Sequence, residues 1–199
     1  LTVLTVAEDG RLSESARDLH PYWTSAVCVL DEEQQRYLGT DVAMNLFVAE
    51  RAKGTEPERP WIHVMRHAAA CHVGDLVNAI HTLPGGRVMY ATASGALGTL
   101  VHVPEPVARV LLCVQDAMIE VVPAPGDIPW ESWRTSRTDT RTEPPHHILD
   151  ADVLRFFVSD PSVRSPCLDK AGSLAQARDI PMAEMAEERI LEMLHALLS

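Results

Sequence analysis

Apolar and polar positions alternate in short blocks over the first half of the chain. Leu1–Val6 is short and β-prone. Trp23–Leu30 is rich in Trp, Val, Cys and Leu and stops at the acidic turn Asp31-Glu32-Glu33. Val42–Glu50 forms another apolar run, and Lys53–Pro60 reads as a loop by composition. Trp61–Ile80 supports two readings. Its apolar spacing suits a helix, whereas Cys71–Ile80 suits a strand crossing Gly74. Pro84-Gly85-Gly86 is a turn. Arg87–Thr92, the turn Ala93-Ser94-Gly95, and Ala96–Val103 then read as strand, tight turn, strand. Short strands separated by repeated turns predict a sandwich, barrel or propeller. Three or four strand groups are too few to close a propeller, so neighbours are expected to cover the edges.

After Val103 the period changes. Pro104 and Pro106 open Val107–Val122, whose apolar residues Val107, Val110, Leu111, Val114, Met118 and Val121 share one helical face. Trp130–Pro145 is polar and reads as an extended connector. Asp150–Val158 predicts a short helix with Asp150 or Asp152 at its N-terminus. A last helix is expected from Pro181 to Leu198, with Met182, Ala186, Ile190, Met193, Leu194 and Leu197 on one face and glutamates opposite. The predicted fold is therefore mainly β over 1–103, with a helical domain over 104–199.

Composition narrows the function. Of 199 residues, 46% are hydrophobic and 23% charged, ordinary for a globular chain. No run of 18 apolar residues exists, so no membrane partner is expected. Leu1–Val6 is too short to read as a signal peptide and lacks a basic flank, and a chain starting at Leu1 is expected to be part of a longer one. A formal net charge of −11 argues against direct nucleic-acid binding. The single basic candidate is Arg134, Arg137 and Arg141. Cys28, Cys71, Cys113 and Cys167 are scattered with no CxxC, so they read as reduced core thiols of an intracellular protein.

Candidate chemistry is sparse. His63, His67, Cys71 and His72 resemble metal ligands if they lie on a helix, where i and i+4 share a face. No HExxH accompanies them, and structural or surface histidines are the plainer reading. Asp150 and Asp152 read as helix capping, since residues two apart do not face each other on a helix. The glycine turns lack the features of a phosphate loop, and no GxSxG occurs. No catalytic residue, no metal ligand set and no cofactor is expected, and the protein is read as not an enzyme. Trp23 keeps two readings: a buried strand residue, or an aromatic at the mouth of a binding cleft.

An ordered set of motifs carries a resemblance. It comprises Leu12-Ser-Glu-Ser-Ala-Arg-Asp18, Trp23-Thr-Ser-Ala-Val27, Leu38-Gly39, Ala43-Met-Asn-Leu-Phe-Val48, His72-Val-Gly-Asp-Leu-Val-Asn78 and Thr92–Gly98. Trp133-Arg134, Arg141-Thr-Glu-Pro144 and Leu149-Asp-Ala-Asp-Val-Leu154 close it. Together they resemble the C-terminal part of a family of three-propeller scaffolds. That family includes the large subunit of the UV-damaged DNA-binding complex, which is the adaptor of cullin-4-type RING ubiquitin ligases. It also includes large subunits of the mRNA cleavage and polyadenylation factor and of splicing factor 3b.

The resemblance implies that 1–103 are the last blades of a seven-bladed propeller and 104–199 the C-terminal helical domain. It implies a non-enzymatic adaptor linked to DNA damage and repair, in nucleus and cytoplasm. Substrate-receptor proteins of the WD-repeat type would enter the propeller cleft. The remaining propellers of the parent protein would pack on this part. A cullin would bind only through the absent second propeller. An RNA-processing scaffold is the alternative. The implied receptor-facing residues are Arg17, Trp23, Ser25, Ala26, Met44, Leu76, Asn78 and Ala93. Arg17 would offer a donor fork, Trp23, Met44 and Leu76 an apolar floor, and Asn78 a paired donor and acceptor. Positions 44, 76 and 93 usually carry larger residues in the family, which implies a different receptor set. Tyr90-Ala91 stands for a Phe-Gly pair, and Asp150-Ala-Asp152 for Asp-Gly-Asp.

Overall fold

The structure is a computed structural model. It describes every residue except Pro21, Gln34, Pro57 and Ser199, with the backbone alone for 53–56 and 59–62. The chain divides into two compact units. One is Leu1–Leu100 with Glu131–Ile148, and the other is Val101–Trp130 with Leu149–Ser199. The architecture is mainly strands with C-terminal helices, a partial β-propeller followed by a helical part.

The strand unit contains β1 (Thr2–Val6), β2 (Leu12–Asp18), β3 (Thr24–Asp31), β4 (Arg36–Asp41), β5 (Asn45–Glu56) and β6 (Arg59–His72). These form one sheet in the order β1-β2-β6-β5-β4-β3. Strands β3 to β6 are an antiparallel meander, the four-stranded unit of a propeller blade. β2 joins it parallel to β6, with Arg17 opposite Val64. A second sheet holds β7 (Val77–Thr82), β8 (Val88–Thr92) and β9 (Leu97–Leu100).

β5 explains why the pattern is a run rather than an alternation. Successive side chains point to opposite faces of a strand. Phe47 and Ala49 pack with Ala16, Met65 and Ala70 on one side, whereas Leu46 and Val48 pack with Leu38 and Val88 on the other. A blade buried on both faces needs apolar residues at consecutive positions. Gly39 sits opposite Phe47, and a Cβ there would lie 2.5 Å from the buried ring. Gly98 bears the same relation to Tyr90 across β8 and β9.

Three expectations change here and one open reading is decided. Residues 61–72 form strand, not helix, and the expected loop at 53–60 is mostly strand, since β5 and β6 pair as far as Glu56 opposite Arg59. Pro57 lies outside the described residues. The extended connector at 130–145 is instead a short helix α2 (Trp130–Arg134) and a small hairpin of β10 (Ser136–Arg137) and β11 (Thr142–Glu143). A single cut after Val103 does not describe the chain, because 131–148 returns to the strands. Ala70 and His146 exchange backbone hydrogen bonds of 3.3 and 3.1 Å, which holds that segment on β6.

The helical unit contains α1 (Glu105–Val121), α3 (Ala151–Ser159), α4 (Arg164–Ala177) and α5 (Glu187–Leu198). The expected face of α1 is buried through Val110, Leu111, Val114 and Met118. Asp150 caps α3, its carboxylate accepting from the Asp152 N–H. Its other oxygen accepts from the Trp130 indole at 2.8 Å, and its own N–H donates to Gln115 Oε1 at 2.6 Å. The expected last helix starts later, at Glu187, after a 3-10 turn at Met182–Met185. Met185 is therefore buried and Met182 exposed, reversing part of the expected face. Helix α4 was not foreseen. Its inner stripe is Cys167, Ala171, Gly172 and Ala175, too small to register as an apolar period. Among the described residues, no helix is long and apolar enough to cross a membrane.

Candidate functional site

Strand direction gathers one set of turns at a single end of the strand unit. β3, β5, β7 and β9 begin there, and β4, β6 and β8 end there. Backbone bonds stitch these ends together. Val42 N–H donates to Trp23 O at 2.9 Å, Val73 N–H to Met44 O at 2.8 Å, and Ala93 N–H to Leu76 O at 2.8 Å. The result is a rim formed by 23–24, 41–45, 73–77 and 92–97.

Trp23, Met44, Leu76 and Ala93 all lie on this rim. Trp23 is 80% exposed, so its indole is not a core side chain. Met44 is exposed and adopts φ +65°, a left-handed turn conformation between β4 and β5. Leu76 is half-buried, Asn78 and Ala93 are exposed, and Ala26 is half-buried one step inside β3. Ser25 has a different task. Its hydroxyl donates to Val77 O at 2.7 Å and lies 3.0 Å from Thr40 Oγ1, tying β3 to β7. Arg17 stands apart from the others. It pairs with Glu14 on its own strand and lies opposite Val64, eight residues before the end of β6.

A polar network supports the rim from beneath. The buried Asn45 amide donates to Asp41 Oδ2 and to Arg137 O, each at 3.0 Å, and its Oδ1 accepts from Arg137 N–H at 3.3 Å. His72 Nδ1 lies 3.2 Å from the same Oδ1. Burial, aided by Arg134 and Arg137, pushes the His72 pKa down against the pull of Asp41. Arg137 was foreseen only as part of a basic run. Its exposed side chain flanks the rim because the small hairpin returns to β5.

The histidine and cysteine set considered from the sequence does not assemble. On strand β6, His72 turns to Asn45, whereas His67 meets Asp18 and His20. His67 Nε2 lies 3.1 Å from Asp18 Oδ2, and His20 Nδ1 lies 3.0 Å from Asp18 Oδ1. The His67 ring stacks on Phe47 with centroids 4.7 Å apart, and Tyr22 stacks on Phe47 at the same distance. Burial raises the Asp18 pKa, but hydrogen bonds from His67 and the His20 backbone outweigh it, so the net shift is downward. Burial pushes the Tyr22 phenol up to about 12. Nothing in the local pattern around Asp18 or His20 signalled this cluster, since its members lie 47 and 49 positions from His67. The four cysteines form no disulfide with one another. Cys113 and Cys167 are buried and Cys28 and Cys71 half-buried, and burial raises Cys167 to about 12.

Comparison with known proteins adds the family context. Residues 1–159 match the family described as the CPSF A subunit region. The chain is 28% identical over 165 residues to DNA damage-binding protein 1 of Drosophila melanogaster, covering 75% of this chain and 14% of that protein. It is 28% identical over 165 residues to DNA damage-binding protein 1b of Arabidopsis thaliana, covering 76% and 15%. Against DNA damage-binding protein 1 of Oryza sativa subsp. japonica it is 24% identical over 194 residues, covering 90% and 17%. The chain thus spans about one sixth of the length of these relatives.

Proposed function

This chain belongs to the CPSF A subunit region family, and from that premise we propose that it is part of a non-enzymatic scaffold that holds other proteins. The observation that carries the proposal is the rim, where Trp23 and Met44 stand exposed on a backbone fixed by cross-strand hydrogen bonds. An exposed aromatic on a rigid support loses little conformational entropy when covered, which is what interface anchors exploit. Met44 adds an adaptable apolar contact. Asn78 supplies a donor and an acceptor beside them.

The finer reading is an adaptor for a cullin-4 RING ubiquitin ligase, acting in the nucleus in response to DNA damage. The relatives named DNA damage-binding protein support it, together with the motifs Trp23–Val27 and Arg141–Pro144. WD-repeat receptors would dock on the rim through Trp23, Ala26, Met44, Leu76, Asn78 and Ala93. Ser25 would keep the rim in shape rather than face a receptor, and Arg17 would contribute from the flank.

The test is affinity purification of the full-length protein with mass spectrometry, beside Trp23→Ala and Arg17→Ala. Recovery of a cullin and WD-repeat proteins is expected. Trp23→Ala should weaken receptor binding by about 2 kcal/mol or more, as anchors at interface centres do. Arg17→Ala should have a smaller effect. Recovery of polyadenylation or splicing factors instead would move the function to RNA processing. Equal retention of receptors by both variants would remove the rim as the docking surface.

A further inference from the structure

We propose that Asp18, His20 and His67 form a site for one divalent transition-metal ion, with zinc as the probe, and that Glu143 orients His67 for it. This inference concerns the strand unit away from the rim and does not rest on the scaffold reading.

The donor chemistry fits. Two imidazoles and one carboxylate are a ligand set that zinc accepts, with a fourth position left for water. Their donor atoms all lie within 4.8 Å of one another. The Asp18 carboxylate faces both rings, Oδ2 lying 3.1 Å from His67 Nε2 and Oδ1 lying 3.0 Å from His20 Nδ1. A tetrahedral ion about 2.0–2.1 Å from each donor separates its donors by roughly 3.3 Å. A small outward movement of the half-exposed His20 makes that room.

The surroundings complete the argument. His67 points one ring nitrogen at Asp18, and the other, Nδ1, lies 3.4 Å from the Tyr22 hydroxyl and 3.6 Å from Glu143 Oε2, whose charge lies behind it. Glu143 Oε2 is buried and has no hydrogen-bond partner among the described residues. A carboxylate behind the remote nitrogen of a ligating histidine fixes its tautomer and raises its basicity. The Asp18 side chain is fully buried and His67 2% exposed, whereas His20 is 41% exposed and leaves a path for the ion and a water. Three separate parts of the chain meet here: the β2 end, strand β6 and the 142–143 strand.

The test uses the full-length protein, stripped with EDTA, reloaded with zinc and gel-filtered, with metal counted by mass spectrometry. Because other zinc sites could exist in the full chain, the readout is the difference between wild type and His20→Ala. One equivalent is expected to disappear in His20→Ala, and also in Asp18→Asn. Glu143→Gln is expected to bind zinc about 10–100-fold more weakly. Circular dichroism confirms folding, and His20→Gln serves as a second variant should His20→Ala unfold. Cobalt should give visible tetrahedral bands in wild type that His20→Ala lacks. Equal zinc in wild type and the folded His20 variants, or none in either, overturns the proposal.

Discussion

The two units are held together by different physics. Among the described residues, the helical unit has one buried cluster of sixteen apolar residues, whereas the strand unit has clusters of five and three. Among the described residues, the strand unit buries the polar Asp18, Thr40, Asp41, Asn45, Thr92 and Ser136, and the helical unit buries Gln115 and Asp150. Apolar burial is non-directional and tolerates sliding. Buried hydrogen bonds are directional and costly to leave unmade. The strand unit thus keeps its rim in shape by register and polar contacts, and the helical unit keeps its stability by packing.

The largest expected effect tests the packing half of this contrast. Leu111→Ala in α1 removes a fully buried side chain and should cost about 2–5 kcal/mol. Hydrogen exchange should show lost protection in α1 and α4 and none in the strands. Loss in both units would break the two-unit picture. Next is Gly39→Ala, whose new Cβ meets the buried Phe47 ring. It should cost about 1–3 kcal/mol, read as lost protection across β3 to β6 with the helices unchanged.

Acid should separate the units further. The folded pKa of Asp18 is depressed, burial being outweighed by the His67 and His20 hydrogen bonds. Glu50 is likewise depressed, its burial outweighed by Arg66 and Arg36. A depressed carboxylate contributes stability above its unfolded pKa and loses it as pH falls through the folded pKa. In EDTA, the strand unit should therefore lose exchange protection below about pH 4, ahead of the helical unit. Simultaneous loss would mean that these two carboxylates do not govern it. The smallest effect is expected at Lys170→Ala, which removes an exposed pair with Glu120 on the helical unit. Such pairs are worth about 0–1 kcal/mol, so a larger change in thermal stability would show packing to be less dominant there.

Legibility followed the range of the interactions. Helix α1 and the cap of α3 were readable because period and capping chemistry act within a few residues. The β8 and β9 hairpin was readable for the same reason, its turn lying between the two strands. β2 and β4 escaped notice because Leu12–Asp18 and Arg36–Asp41 are largely polar and become strands through their partners. Helix α4 escaped because its buried stripe carries almost no apolar bulk. Of the rim, the residues Trp23, Met44, Leu76 and Ala93 were named from a resemblance, while their assembly came from strand direction.

By itself the sequence determined the class of the chain: mainly strands, with helices towards the C-terminus. Those properties depend on composition and local period, which any short window contains. Only the tertiary structure decided that 59–72 is a strand, since pairing with β5 overrode an ambiguous apolar spacing. It alone returned 131–148 to the strands and set Asn45 against Arg137, 92 positions away. It alone brought Asp18 and His20 to His67. Contacts at such separations are chosen by sheet register and packing, and no local pattern encodes which distant segment will supply the partner.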